Sequence, residues 1–74
     1  FEKMRIANSG RVGIANTNPQ SSLDIGGNLT IGSSYAGNHS APNNGILVEG
    51  AIGISTTDPK NKLDVAGSIA IGSS

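Results

Sequence analysis

The residues able to do chemistry in this chain of 74 are few: a recurring aspartate, one histidine, one tyrosine and two asparagines in a glycosylation context. Asp24 and Asp64 each follow a leucine, in LDI and LDV, at equivalent places forty residues apart. Three copies of the chain around one axis would present either aspartate as a ring of carboxylates, a donor set for a hard cation such as calcium. The plainer role, and the preferred one, is a carboxylate at a strand edge, solvated or accepting a turn N–H. His39 in a threefold assembly would offer three imidazoles to a metal, but a lone His in NHSAPNN reads first as an exposed loop residue. Tyr35 suits stacking on a sugar ring or anchoring a loop. Asn28-Leu29-Thr30 and Asn38-His39-Ser40 match the Asn-x-Ser/Thr acceptor pattern. Asn28 sits beside an apolar position and reads as a bend residue, which leaves Asn38 the better acceptor.

None of these groups assembles into a catalytic set, and an enzyme is not expected. No Gly-x-Ser-x-Gly elbow, phosphate-binding glycine loop or dinucleotide fingerprint occurs, and any triad would have to use the single His. Both aspartates occupy matching repeat positions, so they do not read as a hydrolase pair. No catalytic, cofactor-binding or metal residue is assigned. Without cysteine there is no disulfide framework or thiolate zinc site. Five basic residues balance five acidic ones, which leaves no electrostatic footprint for nucleic acid or an anionic membrane. No apolar run approaches the roughly 20 residues of a membrane-spanning helix, so membrane insertion is not expected.

The elements that must carry these residues follow from a repetition. Residues 10–34, GRVGIANTNPQSSLDIGGNLTIGSS, return as GAIGISTTDPKNKLDVAGSIAIGSS at 50–74, identical at 12 of 25 positions without a gap. Two repeats of about forty residues are read, 1–40 and an incomplete 41–74, and the chain is expected to be a piece of a longer array. Inside each lies a shorter frame: two apolar positions spaced by two, a glycine, then two more. LDIGGNLTI, ILVEGAIGI and LDVAGSIAI fit it, and MRIANSGRVGI fits with two residues inserted before its glycine. All nine isoleucines occupy frame positions. Alternation at that period predicts strands, here about three to five residues long, with tight bends at Gly10, Gly27, Gly50 and Gly67. Asn18-Pro19 and Asp58-Pro59 predict turns between frames. Residues 32–45, GSSYAGNHSAPNNG, read as a loop on the outside of the stack.

The fold class expected is therefore all-β, elongated and repetitive. A two-strand corner cannot hide its apolar face alone, and a 74-residue chain without disulfides or metal is marginal by itself. An intertwined homotrimeric β-helix or β-prism fibre suits the 16 mostly medium aliphatic frame positions better than the alternative, a single-chain β-solenoid.

The strings RVGIANTNPQSSLDIGGNLTIG and AIGISTTDPKNKLDVAGSIAIG, with APNNGILVEG before the second, resemble shaft repeats of bacteriophage tail fibres and related trimeric adhesins, of the type VGIGTTxPxxKLDVxGxxxIG. The likeness spans nearly all of the chain. It departs from GIGTT at Ala15, Asn16 and Ser55, and the glycine replaced by Ala15 or Ser55 argues against a positive-φ turn at those two positions. The resemblance implies a homotrimeric shaft on an extracellular object, a virion tail fibre or a cell-surface fibre, acting as a rigid spacer for host attachment. Two alternatives stand beside it: the body of a bacterial or archaeal surface filament, and a glycan-binding repeat using loop 32–45 with Tyr35, Asn38, His39 and Asn43.

Overall fold

The computed structural model describes residues 3–72. Among them the fold is all-β with no helix, seven strands of three residues each: β1 Met4–Ile6, β2 Val12–Ile14, β3 Leu23–Ile25, β4 Leu29–Ile31, β5 Ile46–Val48, β6 Ile52–Ile54 and β7 Leu63–Val65. These are the apolar triplets of the frame, with one exception. Residues 69–71, the last triplet, were expected as a strand and are not one. A strand exists only where a second strand satisfies its edge. Their counterpart β4 pairs with β5 downstream, whereas 69–71 meet no such strand among the described residues.

The strands form three small sheets. In the first, β1 pairs antiparallel with β2, and β2 pairs parallel with β3 in the register Val12↔Leu23, Gly13↔Asp24, Ile14↔Ile25. In the second, β4 and β5 are parallel, Leu29↔Ile46 to Ile31↔Val48. In the third, β6 and β7 repeat the β2–β3 register as Ile52↔Leu63, Gly53↔Asp64, Ile54↔Val65. Parallel neighbours need a crossover instead of a hairpin, and the NTNPQSS and STTDPKNK segments supply it. The chain thus makes a parallel pair, turns a corner into the next sheet, and does so again.

The glycines at those corners work differently from expectation. Gly10 and Gly67 take positive φ, +90° and +157°, while Gly27 and Gly50 are absent from the positive-φ set and an added Cβ there would meet nothing within 4 Å. The corners at Gly27 and Gly50 are open, so neither constraint operates there. Gly10 differs because the two inserted residues let Ala7 to Arg11 close a true hairpin. The Gly10 N–H donates to Ala7 O at 2.9 Å and the Ala7 N–H to Arg11 O at 2.8 Å, a three-residue loop whose last position favours glycine. Close approach is demanded at Gly13 instead, where a Cβ would stand 2.1 Å from Asn16 O.

Ala15 and Ser55 do adopt positive φ, 57° and 59°, contrary to the expectation drawn from the missing glycines. Each follows the last residue of a parallel strand and starts the crossover. The bonds on either side, Ala15 N–H to Lys3 O at 2.8 Å and Gly26 N–H to Ile14 O at 2.8 Å, hold the turn despite the cost of a left-handed alanine.

Candidate functional site

Register decides which side chains share a face. Directly paired residues point the same way and successive residues point oppositely. Met4, Ile6, Val12, Ile14, Leu23 and Ile25 therefore share one face of the first sheet. Leu29, Ile31, Ile46 and Val48 do so in the second, and Ile52, Ile54, Leu63 and Val65 in the third. The middle residues, Arg5, Gly13, Asp24, Thr30, Leu47, Gly53 and Asp64, face the other way.

The connections pack on that second, mostly small or polar face. Pro19 and Gly13 are buried together, with Pro19 Cδ 3.5 Å from where a Gly13 Cβ would be. The second copy repeats this with Pro59 over Gly53, at a similar distance but with Gly53 exposed and Pro59 half-buried. Asp24 closes the first crossover from the same side, its two carboxylate oxygens accepting the N–H of Gln20 at 2.6 Å and of Ser21 at 3.1 Å. Asp64 accepts the Lys60 N–H at 2.8 Å. The Gln20 amide, with help from Ser21 and the Arg11 charge, holds the Asp24 carboxyl below the usual carboxylate range. Both aspartates thus fasten turns, and among the described residues no group of three potential metal ligands occurs.

Residues 32–45 carry no strand, as expected of a loop, but they are folded rather than merely external. Three backbone bonds wind 32–39 into tight turns, Ala36 N–H to Gly32 O among them. Glu49 accepts the N–H of Ser34 at 2.9 Å and of Tyr35 at 3.3 Å. Asn28 Nδ2 donates to Ala41 O at 2.9 Å. Ala41, 5% exposed, joins Gly13 and Pro19 as the buried residues among those described. The loop brings Tyr35 and His39 together edge to face, ring centres 5.4 Å apart, above a shallow cleft that also includes Ser40 and Leu47. Asn43 is not part of that cleft, and Asn38 Nδ2 is engaged with Ser34 O at 2.9 Å. Asn28, the other asparagine in an acceptor pattern, is an anchor for the loop. Glu49 escaped the sequence reading, and its one visible signal is a lone acid between the apolar Val48 and Gly50.

Nothing comparable covers the aliphatic faces. Among the described residues eleven large apolar side chains are exposed, from Ile14 at 38% to Ile71 at 92%, every one of them a frame residue. The faces of the first two sheets run together in a trough of about 310 Å³ lined by Leu23, Ile25, Leu29 and Ile46. The accessible surface is 5902 Å², against roughly 4200 Å² for a compact monomer of this mass. A radius of gyration of 14.9 Å, where about 11 Å would be compact, says the same. A different cleft of about 690 Å³ lies between the β1 hairpin and the first crossover, lined by polar groups including Arg5, Arg11 and Gln20. No family model, curated protein or solved structure matches this chain.

Proposed function

We propose that this chain is a structural segment of an extracellular fibre shaft of the phage tail-fibre kind, in which three copies lie side by side with their aliphatic faces turned to a common axis. The observation that carries this reading is the division of faces: the two crossovers and loop 32–45 pack on the polar side, and the side rich in Ile, Leu and Val is left largely exposed. The magnitude fits as well. The excess surface is roughly 1700 Å² per chain, and a chain in a closed trimer has two interfaces of about 800 Å² each on its own side. At about 25 cal/mol per Å² the apolar part of that burial adds to what the single chain gains from folding alone. The shaft would act mechanically, as a stiff spacer with its strand edges protected by neighbouring copies.

Native mass measurement tests this. Three chains per particle are expected, and a folded monomer at micromolar concentration would overturn it. A second reading has one observation in its favour, the Tyr35–His39 pair over its cleft, which could receive the face of a sugar ring. Glycan binding that survives removal of residues 33–40 would end that reading.

A further inference from the structure

The polar cleft between the β1 hairpin and the first crossover has the size of a small-ligand site, about 690 Å³. It shares no residue with the aliphatic trough or with the cleft beneath Tyr35 and His39. Its charge is of one sign: among the described residues that line it, Arg5 and Arg11 are the only ionisable ones. Arg5 reaches across to the crossover, where its Nη1 donates to Thr17 O at 3.3 Å. Arg11 ends the hairpin, its backbone N–H turned to Ser9 Oγ, and its guanidinium has no hydrogen-bonded partner among the described residues. The Arg11 charge is felt by Asp24, but both Asp24 oxygens are committed to the Gln20 and Ser21 amides, and Asp24 is not part of the lining. The carboxamides of Asn8 and Asn18 add uncharged groups that both donate and accept, as a sugar hydroxyl does.

The second crossover is built without these walls. Leu47 stands where β1 has Arg5, Ala51 where the first copy has Arg11 and Asp58 where it has Asn18, and the two residues inserted before Gly10 have no counterpart. The same crossover forms there all the same, so the fold of that turn does not require the arginines.

We propose that this cleft binds an acidic sugar, a saccharide carrying a carboxylate or sulfate group. The Arg11 guanidinium takes two oxygens of the anion in its planar fork, Arg5 adds its charge, and Asn8 and Asn18 take neighbouring hydroxyls. An acidic peptide shares the charge but draws its specificity from side-chain pockets, and this lining is mainly polar. The site is separate from the Tyr35–His39 cleft and from the faces turned to the trimer axis, so each of the three readings can fail alone.

The test titrates the 74-residue chain by calorimetry with four probes: a glucuronate-containing tetrasaccharide, a sulfated tetrasaccharide, a neutral glucose tetrasaccharide and tetraglutamate. At least one acidic sugar should bind about tenfold or more tightly than the neutral sugar and the peptide, with an affinity that falls as salt rises. Arg11→Ala should weaken that binding about tenfold or more, and so should Asn18→Asp, which brings the second copy's acid into the cleft. Both side chains are exposed and hold no bond of the described fold, so neither variant should disturb folding. Arg11→Ala with Ala51→Arg restores the net charge but not the cleft, and should bind as weakly as Arg11→Ala alone. The proposal is overturned if no acidic sugar binds, if the neutral sugar or tetraglutamate binds as tightly, if Arg11→Ala leaves binding unchanged, or if the added arginine at position 51 restores it.

Discussion

The crossover from β2 to β3 and the crossover from β6 to β7 are the same device written twice, and comparing them separates what is local from what is contextual. Both begin on a left-handed non-glycine residue, Ala15 or Ser55. Both pass a proline over a glycine and end with an aspartate accepting the N–H four residues earlier. These shared features lie within a dozen residues of one another, so the segment carries them wherever it stands. What surrounds the two devices differs. The first is flanked by the β1 hairpin, is packed more tightly and has Asp24 holding two amides; the second lacks a hairpin and Asp64 holds one of those amides. Two extra residues before Gly10 are the origin of the largest difference. They give the chain room to reverse, and the backbone takes the antiparallel partner that β5, with a shorter corner, cannot reach.

The comparison can be broken most severely at the glycines under the prolines. A Cβ on Gly13 would stand 2.1 Å from Asn16 O, and one on Gly53 would stand 3.0 Å from Thr56 O. Gly13→Ala is expected to cost about 3 kcal/mol and Gly53→Ala about 1 kcal/mol in urea denaturation. Equal costs would show that the two turns relax alike. Relief of the left-handed positions comes next. Ala15→Gly and Ser55→Gly should each stabilise by up to about 1 kcal/mol, strain relief outrunning the added entropy of the unfolded chain. A loss of stability in either would mean that positive φ is not strained there.

The smallest effect is one of acidity. Because the Gln20 amide lowers the Asp24 carboxyl in the folded state, the stabilisation it gives is complete above the ordinary carboxylate pKa and disappears as pH falls through the lower folded value. The urea midpoint should therefore decline below about pH 4, and less steeply in Asp24→Asn. Unchanged steepness in that variant would remove Asp24 from the account.

Much of this fold was legible in the chain. Period-two triplets such as LDI and IGI announce strands because residues two apart share a face, and seven of the eight frame triplets are strands. Asn18-Pro19 and Asp58-Pro59 announced turns for the steric reason that the residue before proline avoids the helical region. The folding back of residues 32–45 was not legible. It depends on Glu49 and Asn28 reaching backbone groups 13 to 15 residues away, and such contacts leave no local pattern. Nor was the left-handed state of Ala15 and Ser55, since intrinsic preference points the other way; what the two share is the parallel pairing that closes over them, Gly26 N–H to Ile14 O and Ala66 N–H to Ile54 O.

By itself, then, the order of residues determined the strand triplets, the repeat and the excess of aliphatic side chains over what one short chain can enclose, because these follow from side-chain alternation and volume. Only the tertiary structure decided which face the connections would occupy. Polar turn groups and the small residues Gly13 and Gly53 accept a crossing backbone where branched aliphatics would collide with it. The oily faces are left exposed.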